Sequence, residues 1–246
     1  MKGILANFNR EFRAYFFSPL AYIVAALLLL VNGVVFWLIV SYLNDPRASI
    51  GAPLELFFGQ TVYFWLVLLF VAPVLTMRLL SEERRSGTIE VLMTAPVTEG
   101  QVVVGKYLAA MAFYTFLWLP TLAYPGLLAY YGEVDWGPVA AGYVGVLGIG
   151  SLFLSIGVLA SALTRSQLLA AILSFALLIP LFTFGLMENL FNSESLREVF
   201  SYLNLWQHME EFGKGVVDTR RLIYYLATTA LFLFLSARAL ESRKWR

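Results

Sequence analysis

Leu20-Ala-Tyr-Ile-Val-Ala-Ala-Leu-Leu-Leu-Leu-Val-Asn-Gly-Val-Val-Phe-Trp-Leu-Ile-Val-Ser-Tyr-Leu43 runs for 24 residues without an Asp, Glu, Lys or Arg. A helix rises about 1.5 Å per residue and needs roughly 20 apolar residues to cross about 30 Å of hydrocarbon. This stretch is long enough to span a bilayer by itself. It is too long for the apolar part of a cleavable signal, and Lys2, Arg10, Glu11 and Arg13 precede it, so the segment is expected to stay in the protein.

Five further charge-free runs follow, at Leu56–Met77, Tyr107–Gly132, Trp136–Thr164, Ser166–Met187 and Leu222–Ala237. The last is the shortest, and Arg221 and Arg238 at its ends can snorkel toward the headgroups. Composition agrees: 60% of residues are hydrophobic, 13% are charged and the mean hydropathy is +0.75. Soluble domains are about half apolar and a quarter charged. The expected fold class is all-α, a polytopic membrane protein with six transmembrane helices, read as a single domain over 1–246.

Seventeen basic residues against sixteen acidic leave a net charge of +1. No bulk field draws in nucleic acid, so no nucleic-acid partner is expected, and the placement of charge matters more than its total. Counting Lys and Arg near span ends with the N-terminus inside puts twelve on the cytoplasmic side, Arg78, Arg84, Arg85, Lys106 and Arg165 among them. Five remain outside: Arg47, Arg197, Lys214, Arg220 and Arg221. Both termini are therefore expected in the cytoplasm.

Ahead of the first span, in 1–18, Leu5, Phe8, Phe12 and Tyr15 recur every three or four residues, which predicts an interfacial helix. Ser18 should cap and Pro19 should start the span. Pro120 and Pro125 should kink the third span. Small pairs in the fourth, Ala141–Gly145, Ser151–Ser155 and Gly157–Ser161, permit close helix contact. In the external loop 188–219, Ser195 and Glu198 form a capping-box pattern, and Leu205, Met209 and Phe212 form a second helical stripe, predicting two short amphipathic helices. Trp37, Trp65, Trp118 and Trp136 are read as interfacial anchors.

Candidate catalytic chemistry is thin. The run Gly100-Gln-Val-Val-Val-Gly-Lys106 fits the first seven positions of a P-loop, but Tyr107 stands where Ser or Thr should bind magnesium, and no strand precedes it. Thr98 and Gln101 instead make a capping box, with Val97 able to pack on Val102, so the stretch reads as the start of the third span. His208 is the only histidine and cysteine is absent, which excludes multi-His and Cys-based metal sites; His208 is expected at the surface or interface. The assigned span cores contain no charge, which argues against a proton-coupled antiporter. No catalytic, cofactor or metal residues are assigned.

The informative segment is Ser81-Glu-Glu-Arg-Arg-Ser-Gly-Thr-Ile-Glu-Val-Leu-Met-Thr-Ala-Pro96, inside the loop 78–106. Its charged first half cannot enter lipid, whereas Ile89, Leu92 and Met93 form one apolar face of a short helix that Pro96 ends. Such a face either docks into a partner's groove or rests on the bilayer.

The chain resembles an ABC-2 type permease. Glu82, Glu83, Gly87, Thr88, Ile89, Glu90, Leu92, Pro96 and Lys106 match that family's cytoplasmic signature between the second and third spans. Arg10, Glu11, Phe12, Tyr15, Phe16, Ser18 and Pro19 resemble its interfacial helix. The run Gly215-Val-Val-Asp-Thr-Arg-Arg-Leu-Ile-Tyr-Tyr225 is similar to the gliding-motility-associated subfamily. The resemblance implies a permease subunit, not itself an enzyme, in a bacterial inner membrane. It also implies two cytoplasmic ATPase subunits and a second permease copy or paralogue. The helix after Gly87 would be the coupling helix, with Glu82, Glu83, Arg84 and Arg85 orienting the contact and Thr88, Ile89, Glu90, Leu92, Met93 and Pro96 completing it. The competing expectation is an ATP-independent secondary transporter or channel.

Overall fold

The computed structural model describes residues 2–43, 53–59, 61–87, 98–187 and 201–242, and every regular element among them is helical. Helix α1 covers Lys2–Phe16 and α2 covers Pro19–Leu43. Pro19 opens α2 as expected, and the Ser18 carbonyl accepts from the Ala21 amide at 3.1 Å. The aromatic stripe of α1 packs on protein: Tyr15 stacks on Phe113 at 4.7 Å and Phe16 meets Phe116 at 5.2 Å, while Leu5 stays exposed.

The second apolar run is not one helix. Pro53–Phe57 forms a short α3, the chain turns at Gly59 with φ 84°, and α4 runs Val62–Thr76 from an N-cap at Thr61. A hydropathy run has no way to register a left-handed residue, and glycine takes that conformation without a Cβ clash. The Trp65 indole fixes the turn by donating to the Gly59 carbonyl at 2.9 Å. Next comes α5, Ser81–Arg85.

Helix α6 covers Glu99–Trp118, and the Thr98–Gln101 capping box forms as read, so the third span starts eight residues ahead of Tyr107. Pro120 lies in a 3₁₀ turn, Leu119–Leu122, that joins α6 to α7, Ala123–Tyr131. Proline removes a backbone donor and crowds the preceding turn, which produces this break.

Helix α8, Trp136–Leu163, is the central element, packed against α4, α6 and three later helices: α9 (Gln167–Met187), α10 (Leu205–Gly213) and α11 (Thr219–Glu241). Its glycines admit bulky neighbours. A Cβ on Gly150 would lie 2.2 Å from the Tyr114 ring, and one on Gly157 would lie 2.0 Å from Thr76 Oγ1. Trp65 and Trp118 are buried at 0% and 2% exposure, so they are core residues and not the lipid-facing anchors expected; Trp37 and Trp136 are exposed.

Five helical stretches among the described residues are long and apolar enough to cross a membrane: Pro19–Tyr42, Val62–Arg85, Glu99–Tyr131, Trp136–Leu163 and Thr219–Glu241. Gln167–Thr183 is a shorter apolar helix, so the count of six is not reached on this measure. The last span extends well beyond the expected Leu222–Ala237 at both ends. In the loop before it, the stripe Leu205, Met209 and Phe212 is buried as read. The preceding expected helix, from Ser195, lies outside the described residues apart from 201–203, which are helical.

Candidate functional site

At the end of the bundle where α2 begins and α4 ends, a polar junction gathers four elements. Arg78, just past α4, donates to Ser18 Oγ at 2.9 Å and to the Ala14 carbonyl at 3.2 Å, with its guanidinium 5.4 Å from the Tyr15 ring centroid. Ser161 on α8 accepts from the Leu80 and Ser81 amides, both at 3.0 Å, and donates to the Met77 carbonyl at 3.1 Å. One hydroxyl thus pairs backbone groups that α4 leaves unsatisfied as it turns into α5.

Lys106 is the centre of this junction. It sits two turns into α6, is 1% exposed, and its Nζ lies 2.8 Å from Glu11 Oε1 and 2.9 Å from Glu83 Oε1. Arg10 also reaches both carboxylates, at 2.9 Å and 2.5 Å. Two cations therefore meet two carboxylates, which neutralises charge that burial would otherwise penalise by several kcal/mol per ion. Burial pushes the Glu11 carboxyl up, but Lys106 and Arg10 outweigh it and hold it below its ordinary value. A helical lysine locked between two carboxylates is not a phosphate-cradling loop, and the stretch matching a P-loop is helix from Glu99 onward. It also alters the picture of charge-free spans, because this one carries an ionised group inside the fold.

Of the residues expected to meet a partner, Glu82 accepts from Gln167 Nε2, Glu83 binds Arg10 and Lys106, and Arg84 donates to the Ala162 carbonyl. Three of the four charges in 82–85 thus fasten the segment to α1, α6, α8 and α9, and Arg85 is left exposed. Gly87 ends the short helix at φ 73° with nothing within 4 Å of where a Cβ would sit. Thr88, Ile89, Glu90, Leu92, Met93 and Pro96 lie outside the described residues. Reading the sequence linked Lys106 and Glu11 only to motifs; nothing in local spacing pairs residues 95 apart. One signal was present, since a lone cation deep in an apolar helical run is functional by default.

A second polar cluster lies at the opposite end. His208 on α10 is fully buried, against the expectation of a surface residue. Its Nε2 lies 2.8 Å from Arg221 Nη1 and 3.1 Å from the Tyr202 carbonyl, and its Nδ1 lies 2.9 Å from the Tyr225 hydroxyl. A neutral imidazole carries one N–H, so Nε2 either accepts from the Arg221 guanidinium or donates to the Tyr202 carbonyl, and the Tyr225 hydroxyl serves Nδ1 in either tautomer. Burial, with Arg221 adding to it, pushes the imidazole down to about 3. Arg221 is balanced by Glu211 at 3.2 Å. Among the described residues no group of three or more His, Cys, Asp or Glu is placed to hold a metal ion.

A family model described as ABC-2 family transporter protein matches residues 9–245. No curated protein matches the chain.

Proposed function

Given that the chain belongs to the ABC-2 transporter family, and so is a permease component of ABC transporters, we propose that it is the membrane half of an ATP-driven exporter whose ATPase is a separate polypeptide. Two permease copies, or this chain and a paralogue, pair with two cytoplasmic ATPase subunits in a bacterial inner membrane. The C-terminal run Gly215–Tyr225 favours the gliding-motility-associated group within the family.

Six crossings fit this assembly. Helix α9 has 21 residues to Met187, which at 1.5 Å each reaches about 31 Å, enough for the hydrocarbon core. Six crossings return the C-terminus to the side of the N-terminus, and twelve of the seventeen basic residues then lie at or beyond the cytoplasmic ends of the spans.

The observation that carries the reading is the double ion pair of Lys106. In this mechanism the segment after Gly87 docks on the ATPase through Ile89, Leu92 and Met93. Closure of the ATPase dimer pulls on 81–87. Glu83 passes that displacement to Lys106 on α6 and, through the same Nζ, to Glu11 on α1, while Ser161 passes it to α8. Buried charges hold the linkage because any motion that separates them leaves a carboxylate unpaired in the fold.

The test is co-purification of the tagged chain from its native membranes. Wild type should bring down an ATPase subunit, and Leu92→Glu should lose it, since burying a leucine contributes about 1.5–3 kcal/mol and an unpaired carboxylate adds a desolvation cost. ATPase recovery from Leu92→Glu at wild-type yield, with membrane insertion intact, would remove this helix from the interface.

A further inference from the structure

Two cavities follow one another along α2 and α4 toward the end where α2 begins and α4 ends. The first is a groove of about 350 Å³ between these helices, lined by aliphatic and aromatic side chains, with Val24, Leu28 and Val71 as floor and Leu27, Leu66 and Phe70 as exposed rims. From Tyr63 to Val74 it follows α4 for about 16 Å, and from Val24 to Val31 it follows α2 for about 10 Å. That length matches one leaflet, half of the roughly 30 Å hydrocarbon core.

About one turn beyond Val24 and Val74 lies the second cavity, of about 780 Å³, where Ser18, Pro19 and Arg78 form part of the wall. It holds four cations, Arg10, Arg13, Arg78 and Lys106, against three carboxylates, Glu11, Glu82 and Glu83. Arg10 and Lys106 are matched by Glu11 and Glu83, and Glu82 accepts from Gln167. Gln167 is neutral, so what remains is Arg13 and Arg78 against Glu82, one net positive charge. Among the described residues Arg13 has no ion-pair partner, and Arg78 meets no carboxylate: it donates to the Ser18 hydroxyl and to the carbonyl of Ala14, the residue next to Arg13, and lies over the Tyr15 ring.

We propose that these cavities together bind one anionic glycerophospholipid, its phosphate held by Arg13 and Arg78 and one acyl chain lying in the groove between α2 and α4. Basic pockets at the ends of membrane helices recognise anionic headgroups by this charge pairing, and an apolar slot one leaflet deep sets where the tail must lie. Charge separates this occupant from a neutral lipid, and the adjoining polar cup separates it from a helix of another copy, which would need no cations at its end. The inference rests on the proposed insertion, which puts this end in the cytoplasmic leaflet.

Native mass spectrometry of the purified chain, exchanged against equal amounts of palmitoyl-oleoyl phosphatidylglycerol and phosphatidylcholine, tests it. Wild type should retain one phosphatidylglycerol, favoured about fivefold or more over phosphatidylcholine. Arg13→Gln, an exposed position whose change leaves the fold intact, should bring that ratio close to one. Val67→Trp, which fills the groove, should lower retention of both lipids. Equal retention of the two lipids by wild type, or an unchanged preference in Arg13→Gln, overturns the site. So does a spontaneous disulfide between copies of Leu27→Cys in membranes, because it puts a second chain in the groove. Retention in detergent does not depend on which leaflet supplies the lipid, so reversed orientation would leave this result standing, and lost retention would leave orientation untouched.

Discussion

The Nζ of Lys106 lies 2.9 Å from Oε1 of Glu83, joining the third span to the segment that leaves the second. With Lys106 1% exposed and Glu83 13% exposed, the pair works in a medium far less polar than water, where losing one partner costs more than the pair is worth.

Lys106→Met should therefore destabilise the chain by about 3–5 kcal/mol, because Glu11 and Glu83 lose a shared counter-ion. Adding Glu83→Gln should recover part of that loss, giving a coupling energy of about 1 kcal/mol or more in a double-mutant cycle. Thermal unfolding in detergent measures it; additive effects would mean the contact is not energetically real.

Close helix packing makes Gly150 and Gly157 intolerant. Gly150→Ala should cost about 1–3 kcal/mol, since the new methyl meets the Tyr114 ring and not a flexible tip. Gly100→Ala, with nothing within 4 Å, should be neutral or stabilising by up to about 1 kcal/mol. Equal melting shifts for the two would contradict the packing described.

His208 predicts an acid-side loss of stability. Its folded value is about 3 against 6.5 for the free group, so between these values the unfolded chain binds the extra proton. Stability is then full above pH 6.5 and falls as pH drops, by at most about 1.4 kcal/mol per unit. His208→Gln should flatten the melting temperature between pH 6.5 and 4.5 relative to wild type. An unchanged slope would show that His208 is not held neutral.

Orientation is tested by single cysteines in this cysteine-free chain. Ser193→Cys should react with an impermeant maleimide added outside, and Ser86→Cys should react only after permeabilisation. The reverse pattern would invert the topology.

Membrane character was legible because charge-free runs are a one-dimensional property, and so were the Thr98–Gln101 box and the α10 stripe. Charge-free runs place span ends less well. A count of charge-free residues begins the third span only at Tyr107, whereas the Thr98–Gln101 box begins it correctly, and the same count makes Leu56–Met77 continuous because no charge interrupts it. Charge marks a span end only when the ion reaches water, and Lys106 reaches Glu11 and Glu83 instead. The break at Gly59 depends on a backbone angle that hydropathy does not carry. His208 misled in the same way, since a neutral imidazole with two polar partners can be buried. Trp65 and Trp118 lie near span ends, yet which side of a helix faces lipid is decided by packing partners distant in sequence.

Relay of ATPase motion through Lys106 into the membrane helices would show at the far end of the third span. Tyr131, 84% exposed at the end of α7, is replaced by cysteine, and its labelling rate is followed in the co-purified complex with and without ATP and vanadate. The relay predicts an ATP-dependent change in rate that disappears in Lys106→Met while the ATPase stays bound, because Ile89, Leu92 and Met93 are untouched. A Lys106→Met complex that keeps its ATPase and responds to ATP as wild type does would contradict it.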